Sequence, residues 1–337
     1  MYMILTFPHK PQSHGGPGSF QLRLEALLKE KGWHIEYGNS EVRPDIVMVV
    51  GGTKKLFWLR EKKQQGIPVI CRLDGINWLH KKSDVSYKKW FISEARNMIF
   101  RTIRAGFADH VVYQSRFVEQ WWSNTGWKTN ARSSVIHNGV DLEEFGHSKQ
   151  NEPISLLCVE GHLDYSPYAV DLLNTIQKKL IETRGFHSLI LYGGFEKEEN
   201  MQKLDGNIDY RGKVPREELP GVYRNTVYLS LDVHAACPNT VIEALASGIP
   251  VIGFDTGALK ELVGDKGGII VPYGSDPWEL GFPDVDALCD AAITVKNNWE
   301  SYSNQARRLA EQNYDINDVV QQYIDVIESE IRREQPS

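Results

Sequence analysis

Short apolar runs alternate with longer segments of helical character along nearly the whole sequence, and this alternation constrains the fold more than any other feature. After the first run, for example, Phe20 and Leu24 begin the apolar stripe of a helix that Gly32 is expected to end. Strands alternating with helices imply a mostly parallel sheet covered by helices. The predicted strands form two series: residues 1–7, 33–37, 46–50, 68–71, 111–113 and 134–136, then 154–159, 188–192, 208–210, 227–231, 250–254 and 268–271.

A polar, turn-rich stretch at residues 145–153 separates the two series, and we expect the hinge there. Single hydrophobic cores rarely grow beyond about 250–300 residues, so 337 residues predict two Rossmann-like, doubly wound α/β domains. We expect an N-terminal domain over residues 1–148 and a C-terminal domain over residues 149–314. Residues 315–337 predict an amphipathic terminal helix that needs a surface to cover. Its apolar positions are Ile316, Val319, Val320, Tyr323, Ile324, Ile327 and Ile331.

The net charge of −6 conceals an asymmetry between the two halves of the chain. Residues 1–148 hold 21 lysines and arginines against 14 acidic residues, whereas the remainder holds 17 against 30. A basic half attracts phosphates or an anionic membrane surface.

The four cysteines lie far apart and show neither zinc-ligand nor disulfide-scaffold spacing, which indicates a reducing cytosol. They are Cys71, Cys158, Cys237 and Cys289. No apolar run approaches the roughly 20 residues that span a bilayer, and the opening segment is too short for a signal sequence. We therefore expect a cytoplasmic protein, soluble or peripheral on the inner face of the membrane.

Residues 234–252 predict a loop, a two-turn helix capped by Asn239 or Thr240, and a following strand. The amino end of a helix offers free N–H groups that suit a phosphate. We expect Glu243 in the first turn of this helix, where its carboxylate could accept hydrogen bonds from the vicinal hydroxyls of a ribose. Alternatively, Glu243 only complements the helix dipole.

Residues 239–252, 255–263 and 267–272 closely resemble the donor-binding region of glycosyltransferase family 4, whose members have the GT-B architecture of two facing Rossmann-like domains. In that architecture the ligands lie in the cleft between the domains, and the terminal helix crosses back to the N-terminal domain. Three further matches occur in the family's order: Gly15 with Gly16, residues 108–115, and residues 136–141 with Phe145.

The resemblance implies that Glu243 holds the ribose of a nucleotide diphosphate sugar. Backbone groups of Cys237, Pro238, Asn239 and Thr240 would contact the sugar or the diphosphate. Residues 209–214 resemble the base-recognition turn. Gly15 and Gly16 would let the first loop approach the donor phosphates or the acceptor, although a plain loop-to-helix connection also explains them.

The sequence departs from the family pattern at three positions. Ala235 stands where family members carry a first glutamate, eight residues before Glu243. His162, directly after Gly161, and Pro167 stand where the family has the arginine and lysine that neutralise the leaving diphosphate. The candidate substitutes are His234 or Asn239 for the carboxylate, and Arg211 and Lys213 for the cations. Without substitutes, the chain would be a weak or inactive relative.

Asp74 is the candidate polar group at the reacting centre, since the loop after the fourth strand reads Asp74-Gly75 where many relatives have a histidine. It would contact the sugar or orient the acceptor hydroxyl. Alternatively, it only forms an Asp-Gly turn.

Basic and aromatic residues alternate between residues 78 and 107, a pattern that favours an anionic bilayer and a lipid-diphosphate acceptor. A solvated helix face is the alternative. Nucleic acid is not expected, because no groove-reading or stacking module accompanies the charge. The candidate contact residues are Trp78, Lys81, Lys82, Lys88 and Lys89.

No cofactor and no metal are expected. Asp284 and Asp286 resemble a metal-binding pair, but their context predicts a helix start. The glycines at residues 15–18 lack the Gly-Lys-Ser/Thr ending of a nucleotide triphosphatase loop.

Taken with the resemblance, the sequence predicts a hexosyltransferase that is expected to retain anomeric configuration. It would move a sugar from a nucleotide diphosphate sugar to a glycan or lipid-linked acceptor, in cell-surface polysaccharide or glycoconjugate biosynthesis. A sugar-nucleotide epimerase and a non-catalytic GT-B partner subunit are the alternatives.

Overall fold

The chain divides into two compact units, the first formed by residues 1–139 and 316–337 and the second by residues 140–315. Each unit holds one parallel six-stranded sheet with flanking helices, which confirms the predicted pair of doubly wound α/β units. The boundary predicted between residues 148 and 149 lies outside the described residues. The computed structural model describes residues 3–11, 16–83, 85–146, 155–164, 166–183 and 186–334.

The described residues form twelve strands and twelve α-helices. The strands are β1 Ile4–Phe7, β2 His34–Tyr37, β3 Ile46–Val50, β4 Val69–Leu73, β5 His110–Tyr113, β6 Arg132–Val135, β7 Ser155–His162, β8 Ser188–Gly194, β9 Asp209–Tyr210, β10 Thr226–Ser230, β11 Val251–Phe254 and β12 Gly268–Val271. The helices are α1 Gly16–Glu30, α2 Leu56–Gln64, α3 Tyr87–Gly106, α4 Arg116–Ser123, α5 Ala169–Thr183, α6 Glu198–Met201, α7 Leu219–Val222, α8 Asn239–Ala246, α9 Leu259–Val263, α10 Val285–Asn297, α11 Trp299–Asn313 and α12 Ile316–Glu334. Short 3-10 helices lie at Leu79–Lys81, Arg216–Glu218 and Pro277–Glu279.

The first sheet has the strand order β2-β1-β3-β4-β5-β6. Strands β4 and β5 are buried along their whole length and β3 along all but its last residue, as expected for parallel strands covered on both faces. Gly32 adopts a φ of +83° just after α1 and ends that helix as predicted. Strand β6 begins at Arg132, two residues before the predicted start, because its first residues are polar and exposed and carry no apolar signal.

Helix α12 packs into the core of the first unit, far in sequence from the strands that it covers. Its buried side chains share one cluster with residues of α1, β1 and β3, and the rings of Phe20 and Tyr323 lie 5.1 Å apart. Glu330, which is 2% exposed, also accepts hydrogen bonds from Arg132 Nε at 2.9 Å and pairs with His110 Nδ1 at 3.0 Å. The predicted amphipathic helix therefore completes this core.

The second sheet has the strand order β12-β11-β10-β7-β8-β9. Strand β7 continues to His162, three residues beyond its predicted end at Val159. The register with β8 shifts between these two residues, which is the signature of a bulge that apolar periodicity does not reveal.

Candidate active site

In the second unit, the strand order reverses between β7 and β10: the chain continues from β7 outward to β9, and from β10 outward to β12. Ligands of open α/β sheets bind outside the carboxyl ends of the strands at such a reversal. Gly161 and His162 form the exposed end of β7, and the loop containing His234 follows β10. These predicted site residues therefore lie at the expected edge of the sheet.

Helix α8 runs from Asn239 to Ala246, and Glu243 is its fifth residue. The expectation that Glu243 lies in the first turn is therefore wrong, because the helix begins at Asn239 and its first turn ends before Glu243. The predicted cap by Asn239 or Thr240 is wrong. Pro238 occupies the cap position with extended backbone angles, so Asn239 and Thr240 are the first helical residues. Pro238 makes no side-chain cap hydrogen bond, so within the described part of the chain the cap residue leaves the first N–H groups of α8 for water or a ligand.

Glu243 is buried, with 2% of its surface exposed. Arg216 Nη1 donates to its Oε1 at 3.3 Å, and the Tyr223 hydroxyl donates to its Oε2 at 3.3 Å. Arg216 also reaches Glu144 at 3.5 Å. Arg216 and Tyr223 therefore hold the buried carboxylate of Glu243 in place.

His234 has a left-handed backbone, with a φ of +59°, and is buried between two partners. Its Nδ1 lies 2.8 Å from Thr256 Oγ1, and its ring stacks on Trp278 with 3.6 Å between the ring centres. Burial lowers the pKa of His234 to about 4, opposed only in part by the charge of Asp276. The imidazole is therefore neutral near pH 7, so it offers hydrogen bonds but no charge where the family has a carboxylate.

Gly257 allows the turn after β11 to approach the His234 loop. A Cβ there would lie 2.6 Å from Ala235 N, and the backbone φ of +62° also favours glycine. The Ala258 N–H donates to the Ala235 carbonyl at 2.9 Å. The loop that carries His234 is thus fixed by the backbone of the Asp255–Val263 motif.

The two predicted substitute cations differ in their surroundings. Arg211 Nη2 donates to Asp209 Oδ2 at 2.6 Å, and Arg211 Nη1 donates to the Tyr192 hydroxyl at 3.1 Å. Lys213 lies over Gly194 and makes no ion pair with the described residues. Of the two, Lys213 is the better placed to neutralise a bound anion.

Sequence reasoning missed an acidic pair at the same edge, Glu160 in β7 and Asp232 just after β10. Burial and the charge of Asp232 raise the pKa of Glu160 well above its usual value, and burial raises the pKa of Asp232 to about 6. The sequence did offer a signal, because both acidic residues directly follow the predicted apolar runs 154–159 and 227–231. The edge therefore holds two carboxyl groups that the family pattern does not imply, and the raised pKa of Glu160 favours its neutral form.

In the first unit, the strand order reverses between β1 and β3. A cavity of about 520 Å³ lies at the carboxyl ends of these strands and β4. Asp74, which follows β4, lines this cavity together with the loop Gly51-Gly52-Thr53 after β3. The glycine pair in that loop was not singled out from the sequence, although two glycines directly after a strand were a visible signal.

Asp74 belongs to a polar network, and its partners lie far away in sequence. Arg72 Nη1 donates to Asp74 Oδ1 at 3.0 Å, and Gln114 Nε2 donates to the same oxygen. Arg72 Nη2 donates to Asn138 Oδ1 at 2.6 Å. Burial raises the pKa of Asp74, and Arg72 opposes that shift. Asp74 therefore does more than close a local turn.

Gln114 and Asn138 lie in the two N-terminal motifs that carried the resemblance, and the network gives those motifs a physical role. A family model described as Glycosyltransferase Family 4 matches residues 3–144, and one described as Glycosyl transferases group 1 matches residues 156–298. The chain is a GT-B glycosyltransferase related to family 4. The first matched segment covers the first unit up to residue 139 and extends five residues into the second unit, and the second matched segment lies within the second unit.

Solved structures similar to this glycosyltransferase support its fold. The sucrose-phosphate synthase of Thermosynechococcus elongatus has a TM-score of 0.71 at 14% identity, covering 98% of this chain and 99% of that one. Anabaena HepE in complex with UDP-glucose has a TM-score of 0.70 at 14% identity, covering 97% and 100%. Identities this low show the fold alone.

A curated relative of this glycosyltransferase is the O-antigen chain mannosyltransferase B of Escherichia coli. It is 36% identical over 115 residues, which are 31% of this chain and 30% of the relative. The chain therefore matches less than a third of that relative's length.

Of the predicted glycine contacts in this glycosyltransferase, Gly15 lies outside the described residues. Gly16 is the first residue of α1 and is exposed, and a Cβ at Gly16 or at Gly161 would meet none of the described atoms within 4 Å. Packing among the described residues does not require glycine at either position.

The basic and aromatic segment of this glycosyltransferase forms the start of α3 and the turn before it. Tyr87, Trp90 and Phe91 are 96%, 44% and 69% exposed. Lys82, Lys88 and Lys89 are also exposed, and Trp78 is half-buried. Lys81 Nζ instead lies 3.0 Å from Glu94 Oε1, so its charge is largely compensated.

Among the described residues, no helix is long and apolar enough to cross a membrane, and no three or more His, Cys, Asp or Glu side chains form a group that could hold a metal ion. Asp284 caps α10 by accepting from the Ala287 N–H at 3.1 Å, so the predicted helix start is confirmed.

Proposed function

We propose that this glycosyltransferase moves a sugar from a nucleotide diphosphate sugar to a glycan or lipid-linked acceptor in cell-surface polysaccharide or glycoconjugate biosynthesis. The observation that carries the proposal is Glu243, buried in the second turn of α8 and held by Arg216 and Tyr223. This carboxylate accepts hydrogen bonds from the ribose hydroxyls of the donor. Solved GT-B structures in complex with UDP-glucose and with UDP support a donor of this class.

The first turn of α8 supplies the groups that a leaving diphosphate needs. Its uncapped N–H groups and the positive end of the helix dipole stabilise negative charge as it develops. Pro238, Asn239 and Thr240 provide backbone groups close to this turn, and Lys213 adds a positive charge. Together they substitute for the cations that His162 and Pro167 replace.

His234 takes the place of the missing first glutamate. As a neutral imidazole held by Thr256, it hydrogen-bonds a hydroxyl of the transferred sugar without adding negative charge beside the diphosphate. Asp74, fixed by Arg72 and Gln114, orients the acceptor hydroxyl. A leaving phosphate oxygen accepts the acceptor's proton, and the anomeric configuration is retained.

A polysaccharide or glycoconjugate acceptor is supported by the match to an O-antigen chain mannosyltransferase. We also propose that α3 lies on an anionic membrane surface. Its exposed Trp90 and Phe91 suit the interface, and Lys88 and Lys89 suit anionic headgroups. A cytoplasmic position at the inner membrane face follows from this proposal.

No metal takes part in the proposed transfer, since the α8 amides and Lys213 stabilise the leaving group. Addition of a chelator should leave turnover unchanged. Loss of turnover in chelator, restored by one divalent cation, would contradict this part of the proposal.

A non-catalytic GT-B subunit is the second candidate. The acidic pair Glu160 and Asp232 favours it, because both carboxylates lie at the edge where a diphosphate is proposed to bind. A subunit of this kind would bind nucleotide sugars weakly or not at all.

Calorimetric titration with a panel of nucleotide diphosphate sugars and free nucleotides tests the proposal. At least one nucleotide sugar should bind, and Glu243→Ala should weaken it by about tenfold or more, since hydrogen bonds to a buried carboxylate are lost. Glu300→Ala removes an exposed glutamate of the same unit and should change affinity by less than about twofold.

Absence of binding by every nucleotide sugar would remove the transferase proposal and favour the non-catalytic subunit. Chemical conversion of the nucleotide sugar without any acceptor would favour an epimerase instead.

A further inference from the structure

The cavity of the first unit is surrounded by uncompensated positive charge. Lys10, Lys54 and Arg96 line it, and all three side chains are exposed. None of them forms an ion pair with a carboxylate among the described residues. Because each cation lacks a protein counter-charge there, the cavity attracts an anion.

One described acidic residue, Asp74, lines the same cavity, and its charge is already balanced. Arg72, which is 1% exposed, donates to Asp74 Oδ1 at 3.0 Å. The field inside the cavity therefore remains positive in spite of this carboxylate.

The three cations come from separate elements, and tight packing brings two of them together. Gly52 lies against α3 so closely that a Cβ on it would be 2.4 Å from Phe100 Cε1. This contact brings the loop that ends at Lys54 against α3, so that Lys54 and Arg96 of α3 line the same cavity. Lys10 reaches the cavity from the loop after β1.

The cavity also offers uncharged hydrogen-bonding groups and an apolar wall. His9 Nε2 lies 2.9 Å from Thr53 Oγ1, and partial desolvation and the charge of Lys55 lower the pKa of His9. Ile99 and Phe100 add apolar surface to the cavity lining. A phosphate attached to an apolar or ring-shaped group matches this combination.

We propose that this cavity binds a phosphate group of the acceptor through Lys10, Lys54 and Arg96, so that the enzyme selects phosphorylated acceptors. The inference rests on the proposed glycosyl transfer and names the acceptor class of the same reaction. The phosphate belongs either to a lipid-linked headgroup or to a soluble sugar phosphate. In both cases Asp74, in the wall of the same cavity, faces the acceptor's reacting hydroxyl.

Calorimetric titrations of the full-length protein with two phosphates test this proposal. Geranyl diphosphate represents a lipid-linked acceptor and fructose 6-phosphate a soluble one, and geraniol and fructose are their uncharged counterparts. At least one phosphate should bind about tenfold or more tightly than its counterpart, a difference of about 1.4 kcal/mol. The phosphate that binds identifies the source.

The variant Lys54→Ser/Arg96→Ser should weaken that binding by about tenfold or more, because two charge-assisted contacts are lost. Lys31→Ser/Arg60→Ser removes two exposed positive charges of the same unit outside the cavity and should change the affinity by less than about twofold. Equal losses in both double variants, or no binding by either phosphate, would overturn the proposal.

Titration of Lys54→Ser/Arg96→Ser with nucleotide sugars separates this site from the donor site. Donor affinity should stay within about twofold of the wild type. A tenfold loss of donor affinity with unchanged phosphate binding would assign these cations to the donor and overturn the proposal. The phosphate titrations need no nucleotide, so they remain informative even if no nucleotide sugar binds.

Discussion

Arg72 holds Asp74 by a 3.0 Å hydrogen bond while only 1% of its own surface is exposed. The same guanidinium donates to Asn138 and lies 3.9 Å from the centre of the Phe20 ring. Arg72 therefore joins the wall of the first unit's cavity to the hydrophobic core of that unit. A buried arginine with several partners fixes a carboxylate more firmly than a surface ion pair does.

Asp74→Asn should reduce kcat by about tenfold or more while leaving the affinity for nucleotide sugar unchanged, because the amide keeps the shape but loses the charge that orients the acceptor. Steady-state kinetics beside calorimetry measures both quantities. Arg72→Met should produce a similar kcat loss, and the double variant should lose little more, since both residues act as a unit. A fully additive double variant would contradict the coupling.

Asp232→Asn should stabilise the protein more at pH 7.5 than at pH 4.5. The folded pKa of Asp232 is raised to about 6, so the folded wild type holds a proton that the unfolded chain releases above its ordinary value near 4. Wild-type stability therefore falls as pH rises from about 4 to 6, and the variant lacks this term. We expect a gain of about 1–2 kcal/mol at pH 7.5 from urea unfolding.

A gain independent of pH would contradict the assignment of this proton to Asp232. Asp205→Asn, a change at a half-buried aspartate elsewhere in the same unit, is the control for loss of an acidic group.

The wild-type protein should lose stability as the pH falls, and His234→Gln should remove this part of the loss. The pKa of His234 is lowered to about 4 in the folded protein. Between about pH 6.5 and pH 4, the unfolded chain therefore binds a proton at this histidine and the folded protein does not. Wild-type stability should fall over this range relative to the variant, with both proteins compared at the same pH. Parallel stability curves for the two proteins would show that His234 is not held neutral.

Glu330→Gln should destabilise the first unit by about 1–3 kcal/mol, because a buried carboxylate that bonds Arg132 and His110 loses its charge. Glu328→Gln on the same helix changes a partly exposed glutamate whose Oε2 lies 3.6 Å from Arg332 Nη1. It should cost less than about 0.5 kcal/mol. Equal effects of the two variants in urea unfolding would show that the Glu330 cluster does not anchor α12.

Lys88→Glu/Lys89→Glu should abolish salt-sensitive sedimentation with anionic vesicles, since two attractive charges next to Trp90 and Phe91 become repulsive. Lys31→Glu/Arg60→Glu makes the same charge change elsewhere in the first unit and should retain most of the binding. Sedimentation unchanged by the first pair would remove the membrane proposal.

The sequence was sufficient to predict the fold and the helix that carries Glu243, because both depend on local signals. Apolar periodicity predicted the strands, and Gly248 and Pro250 marked the end of α8 and the start of β11. The cap of α8 was wrong because Pro238 already has the extended backbone that a cap residue adopts.

The contacts around the candidate site could not be predicted in the same way, because they join distant residues. Asp74 meets Gln114 across 40 positions, and His234 stacks on Trp278 of a separate short helix. Lys81 was expected to contact an anionic membrane or acceptor, but it forms an ion pair with Glu94 instead. The surrounding run of basic residues gave no sign of this pairing.

The position of α12 also determines the order in which this protein can fold during synthesis. The core around Phe20 and Leu24 lacks one of its layers until residues 316–334 have left the ribosome, by which time the second unit is already complete. The first unit is thus completed after the second, and its apolar face stays uncovered by α12 while some 176 residues of the second unit are synthesised. Chaperone dependence and sensitivity to truncation should therefore be concentrated in the first unit.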